Sequence, residues 1–178
     1  MATVNLLPNA DVSNNWTLST GSDVYALIDD DHTGTISGDS SYLSATASSK
    51  ICYLQLDDFT EDHSSIDGVQ VVVKAGNDGR GQTYEIGTKL LPAIGGAYYT
   101  EGTGTELSNR NYLTHTFTNR TTYDGSNAWT QGIINALKLG VSLDAHSGGT
   151  TKFTYAYVIV TYTLPLAADN SIFFGCNF

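Results

Sequence analysis

Charge is scarce in this sequence. Only 15% of the 178 residues are charged, and basic residues are the scarcest part, eight against eighteen acids. The resulting net charge of −10 excludes two partner classes. A nucleic-acid-binding surface needs a basic footprint, and none exists. An anionic membrane surface is disfavoured for the same reason. Cysteine is nearly absent as well. Two residues, Cys52 and Cys176, are too few for a disulfide framework. Cys52 sits in an apolar run as a small core residue, and Cys176 stands two residues from the end. No stretch approaches the roughly 18 apolar residues of a membrane span. The first residues, Met1 to Pro8, have no basic region followed by a long apolar segment, so no secretory signal is read there and the expectation is synthesis in a host cytoplasm. Histidines 32, 63, 115 and 146 are scattered without metal-binding spacing, and no Gly-x-Ser-x-Gly elbow is present. No internal repeat occurs. Nothing here makes a catalytic constellation, and the expectation is a protein that is not an enzyme.

What remains is Ser, Thr, Asn, Gly and aromatic residues on a chain that is 40% hydrophobic, long enough for one full core. The richest stretch is residues 152–164, with three tyrosines, one phenylalanine, two valines, one isoleucine and three threonines. Such residues fit a pleated sheet. Strict alternation puts Phe153, Tyr155, Tyr157 and Ile159 on one face and Ala156, Val158, Val160, Tyr162 and Leu164 on the other. Both faces are apolar, so this is a central strand. Further strands are expected at 24–28, 42–45, 51–56, 67–76, 82–91, 97–99, 112–117 and 141–145. Residues 77–81 form a hairpin turn, and Gly148-Gly149 a second one joining two paired strands. Residues 129–139 are the helical candidate, with Thr130 as N-cap and Gly140 beyond its end. The fold expected is all-β: a single jelly-roll-like antiparallel β-sandwich over residues 16–164, one short helix, an extended N-terminal arm at 1–15 and a C-terminal tail at 165–178.

Four features raise questions of chemistry. The stretch from Asp29 to Ser40 follows a calcium-loop spacing, with Asp29, Asp31 and Thr33 at ligand positions and Asp39 near the end. It lacks the terminal glutamate and stands between expected strands, so its plainer reading is a solvated acidic loop. Calcium is the one cofactor it brings into question. A second acidic loop, Asp57, Asp58, Glu61, Asp62 and His63, shares a cation with the first only if both lie at one end of the sandwich. Tyr98, Tyr99, Tyr112, Tyr123 and Trp129 are a candidate sugar-stacking face, against the plainer reading of core filling. The ends are apolar: Val4, Leu6 and Leu7 in the arm, and Ile172, Phe173, Phe174 and Phe178 in the tail. These pack on their own domain or form an interface with a neighbour.

Trp16 before a strand, Leu27-Ile28-Asp29-Asp30, Leu54-Gln55-Leu56, residues 66–71 and Ala128-Trp129-Thr130 before a short helix occur in this order. The set resembles the β-sandwich virion proteins of tailed bacteriophages, decoration (cement) and tail-appendage proteins, over residues 16–163. The resemblance implies a virion structural protein without catalytic residues. It would be a homotrimer on the capsid surface that clamps the major capsid protein lattice through buried interface area. The alternative is a tail fibre- or spike-associated module that recognises a receptor glycan through tyrosines and acidic loops.

Overall fold

The computed structural model describes residues 1–29, 35–92 and 99–166. Twelve strands and one short helix follow in order. They are β1 (Ala2–Leu6), β2 (Pro8–Asn14), β3 (Thr17–Leu18), β4 (Leu43–Ala45), β5 (Lys50–Leu56) and β6 (Ser65–Asn77), then β7 (Thr83–Leu91), β8 (Tyr99–Gly102), β9 (Glu106–Leu107) and β10 (Leu113–Thr116). Helix α1 (Gln131–Asn135), β11 (Lys138–His146) and β12 (Thr151–Thr163) complete the chain. The strands form two six-stranded sheets, paired antiparallel throughout. The first runs β10-β6-β12-β4-β3, with β1 also on β12. The second runs β2-β5-β11-β7-β8, with β9 also on β7. This is the expected jelly-roll-like sandwich. Its core lies between the sheets, where alternate residues of both meet: Val69, Val71 and Val73 of β6 and Val158 and Val160 of β12 against Cys52 and Leu54 of β5 and Leu139 and Val141 of β11. Each such side chain contributes about 1.5–3 kcal/mol by leaving water.

β12 is the centre of the first sheet. It pairs with β6 along its whole length, while β4 and β1 share its other side. A bulge between Phe153 and Tyr155 breaks the alternation. Phe153 therefore turns inward with Ala156, Val158, Val160 and Tyr162 and is fully buried. Tyr155, Tyr157 and Ile159 face outward and are half-buried. Trp16 closes the core beside it. Its ring meets Phe153 edge-on at 4.9 Å, and its indole N–H donates to Val141 O of the second sheet at 3.3 Å.

Several expectations are corrected. Residues 1–15 are not an arm outside the sandwich. β1 lies on β12, and β2 lies on β5. Leu6 is in the core, Val4 packs against it and Leu7 is half-buried, so these three are spent on their own domain. Residues 24–28 are not a strand. A 3₁₀ turn, Tyr25–Leu27, forms there because the Asp11 carboxylate accepts the N–H groups of Val24 and Tyr25 at 2.7 and 2.8 Å. The helix is five residues long. Thr130 does cap it, its hydroxyl accepting from Ile133 N at 3.3 Å. Gly140, however, lies inside β11, a central strand of the second sheet. The Gly148-Gly149 turn joins β11 to β12, which belong to different sheets and are not paired. Ile172, Phe173, Phe174, Phe178 and Cys176 lie outside the described residues. Cys52 is fully buried, and burial pushes its thiol up to about 12.

Candidate functional site

A β-sandwich leaves open edges, and one of them here is concave. β10 ends the first sheet and β8 ends the second. The Phe117 N–H donates to Val71 O of β6 at 3.0 Å. Antiparallel pairing alternates, so the main-chain groups of Thr116 and Thr114 turn away from β6 to the free edge. Both threonines are exposed. Across from them stand Glu101 and Gly102 of β8, Thr103 and Glu106. Together with His115 and Phe117 they enclose a cleft of about 340 Å³, within the range of small-molecule sites.

Two carboxylates face this space in different states. Glu101 is braced. It accepts from Arg120 Nη2 at 2.9 Å, from the Thr118 hydroxyl at 2.5 Å and from the Thr118 N–H at 3.3 Å. Desolvation pushes its carboxyl up, but these donors and the adjacent guanidinium outweigh burial and hold it below its usual value. Glu106 hydrogen-bonds no group among the described residues through its carboxylate. Beneath it lie His115, 8% exposed, and Tyr84, 1% exposed, whose hydroxyl stands 3.3 Å from His115 Nε2. Burial lowers the His115 pKa, and burial followed by the Glu106 charge raises that of Tyr84. At neutral pH both are uncharged. Among the described residues, the cleft thus presents carboxylate acceptors and a strand edge that no further strand pairs, and Arg120 beside it is already paired with Glu101.

Three of the five aromatic residues expected as a sugar-stacking face, Tyr99, Tyr123 and Trp129, pack together beside this cleft. Tyr99 and Tyr123 pack on Trp129, with ring centroids 6.5 and 6.1 Å away. Trp129 is only 3% exposed, and its indole N–H donates to Arg120 O at 2.7 Å. The Arg120 guanidinium lies over the Tyr99 ring, 4.5 Å from its centroid, and the Tyr99 hydroxyl donates to Thr122 O. The cluster is a brace that fixes Arg120, which in turn fixes Glu101. Tyr112 does not join it. It is buried elsewhere, donating to Asp39 Oδ2 at 2.7 Å. Tyr98 lies outside the described residues. The outward aromatic surface is on the first sheet instead, where Tyr155 and Tyr157 pack at 4.9 Å and Lys152 Nζ stands 3.9 Å over the Tyr42 ring.

The described parts of the two acidic loops do not converge. Asp31 and Thr33 lie outside the described residues. Asp29 is exposed and bridges to Tyr155 of β12, while the Asp39 carboxylate also accepts from Ser41 N at 2.9 Å. Ile36 packs at Gly76, near the end of β6, whereas residues 57–64 precede its beginning. The 13-residue strand spans about 40 Å, so the described parts of the two loops stand toward opposite ends of it. Glu101, Glu106, Arg120, Thr114 and Thr116 went unnoticed in the sequence. Residues 112–117 were expected as a strand, but nothing in them marked an edge.

No protein-family model matches the chain, and no curated protein matches it. Solved structures do. One is the CBM36-1 domain of a multidomain xylanase from the hindgut metagenome of Trinervitermes trinervoides, at 11% identity, TM-score 0.42, covering 90% of this chain and 97% of that one. Another is the xylan-binding module CBM15, at 13% identity, TM-score 0.40, covering 92% and 99%. A third is a CBM4 structure, at 16% identity, TM-score 0.37, covering 67% and 75%. These are carbohydrate-binding modules, not virion proteins, and the expectation of a capsid decoration protein is corrected on that finding. The motifs behind it are common strand-end patterns that any sandwich repeats.

Proposed function

We propose that this chain is a non-catalytic carbohydrate-binding module that holds a short glycan segment in the edge cleft. The observation behind this reading is the cleft between β8 and β10, about 340 Å³, lined by carboxylates and, among the described residues, by an unpaired strand edge with threonines along it. Sugars present many hydroxyl donors, and convergent acceptors in a preformed cleft match them. Catalysis fits less well. A glycosidase acid needs a raised carboxyl pKa, whereas Glu101 is held ionised by Arg120 and Thr118.

The test is titration calorimetry of the folded protein against soluble xylan, mixed-linkage glucan, mannan and chito-oligosaccharides. Thr116→Trp, an exposed position, fills the cleft and is expected to weaken binding at least about tenfold. Tyr157→Ala, on the outer face of the first sheet, is expected to leave it unchanged. Binding lost in Tyr157→Ala and kept in Thr116→Trp would move the site to the sheet face. No binding to any polysaccharide by a correctly melting protein would end the reading.

A further inference from the structure

The charge balance of the cleft narrows its ligand, given the reading of the cleft as a glycan site. Arg120 neutralises Glu101 across a 2.9 Å ion pair. His115, the other titratable group lining this space, is packed in the floor against the buried Tyr84. That leaves the Glu106 carboxylate, half-buried on β9, with neither a cation nor a hydrogen-bond donor among the described residues. A half-buried carboxylate with no protein donor keeps only part of its hydration, and a charged donor replaces what is lost better than a neutral one.

We propose that Glu106 makes the cleft selective for an amino sugar, pairing with the ammonium group of a glucosamine-type residue. A neutral residue binds less tightly, because its hydroxyl or amide gives Glu106 a neutral hydrogen bond. A uronic acid is rejected, since its carboxylate would face Glu106 with no lysine or arginine among the described residues lining the cleft. The chain's net charge of −10 works in the same direction at longer range, attracting a polycation and repelling a polyanion.

Glucosamine oligomers, N-acetylglucosamine oligomers and galacturonate oligomers of equal length are titrated into the wild-type protein at about pH 6, where an amine is charged. Affinity should fall in that order, by about tenfold at the first step. The first step should shrink with added salt. In Glu106→Gln the ratio between glucosamine and N-acetylglucosamine oligomers should fall most of the way toward one, and the long-range remainder should vanish with added salt. Should that variant bind neither, the wild-type ratio and its salt dependence decide alone. Uronate or N-acetyl oligomers binding wild type as tightly as the amine overturns the proposal, as does an unchanged ratio in Glu106→Gln. Binding only to neutral polysaccharides overturns it too and leaves the glycan site standing. Absence of binding to every glycan sinks both.

Discussion

Arg120 holds several contacts at once. Its guanidinium pairs with Glu101 and lies over Tyr99, while its carbonyl accepts the indole N–H of Trp129. A planar fork can do the first two together, and an ammonium cannot. Arg120→Lys should therefore keep the charge and lose the geometry. The ion pair is partly exposed, at 31% and 27% for the two side chains, so the stability cost is small, about 1 kcal/mol. Binding should suffer more than stability, because Glu101 loses its orientation. Calorimetry beside urea melts separates the two effects, and equal losses in both would count against a positioning role. Trp129 behaves oppositely. It is buried in the core, so Trp129→Ala should cost about 3–5 kcal/mol of stability, read as a shift in urea midpoint at unchanged slope. A variant that melts like wild type would mean that Trp129 is not the brace described.

At the scale of elements, the sequence showed the strands wherever two-residue alternation met burial on one face. Residues 51–56 alternated as expected, with Cys52, Leu54 and Leu56 inward, and residues 82–91 did the same with Tyr84, Ile86 and Thr88. What it hid was pairing. The bulge at Phe153–Tyr155 is set by the register with β6, so local alternation misassigned Phe153. The helix expected over residues 129–139 ran on to Leu139, yet Lys138 and Leu139 join β11, whose ladder with β5 and β7 outweighs that weak propensity. The cleft was illegible for the same reason. An edge is defined by the strand that fails to pair, and nothing in Thr114 or Thr116 records it. Close packing between elements is testable at Gly76 of β6. A Cβ there would stand 2.4 Å from Asn111 O and 2.6 Å from Ile36 Cδ1. Gly76→Ala should destabilise by about 1–3 kcal/mol, because main chain from the segment before β10 must move. An unchanged melt would show that this segment gives way freely.

For the whole molecule, pH dependence follows from groups the fold treats unequally. His115 is buried beside Tyr84, with Glu106 as the nearby charge, and its pKa lies below the ordinary 6.5. Glu106 pulls that value up, and burial wins. The unfolded chain binds a proton at pH 6 that the native protein resists, so stability falls as pH drops from about 7 through the depressed native value and then levels off. The carboxylates of Glu101, Asp67 and Asp124 are held below their usual values. For Asp67 the main cause is the Thr163 hydroxyl, and for Asp124 the Asn127 N–H. Their contribution is present above about pH 4 and is lost as pH falls through the depressed values. The sign is the same, and the window lies lower. Urea midpoints measured at pH 7, 6 and 5 for wild type and His115→Asn should therefore converge as pH falls. The wild type loses the histidine contribution across this range and the variant has none to lose, while both fall together below pH 4. Parallel wild-type and variant curves between pH 7 and 5 would mean that His115 is solvated, and the cleft floor would then hold a proton that weakens the pairing of any cation with Glu106.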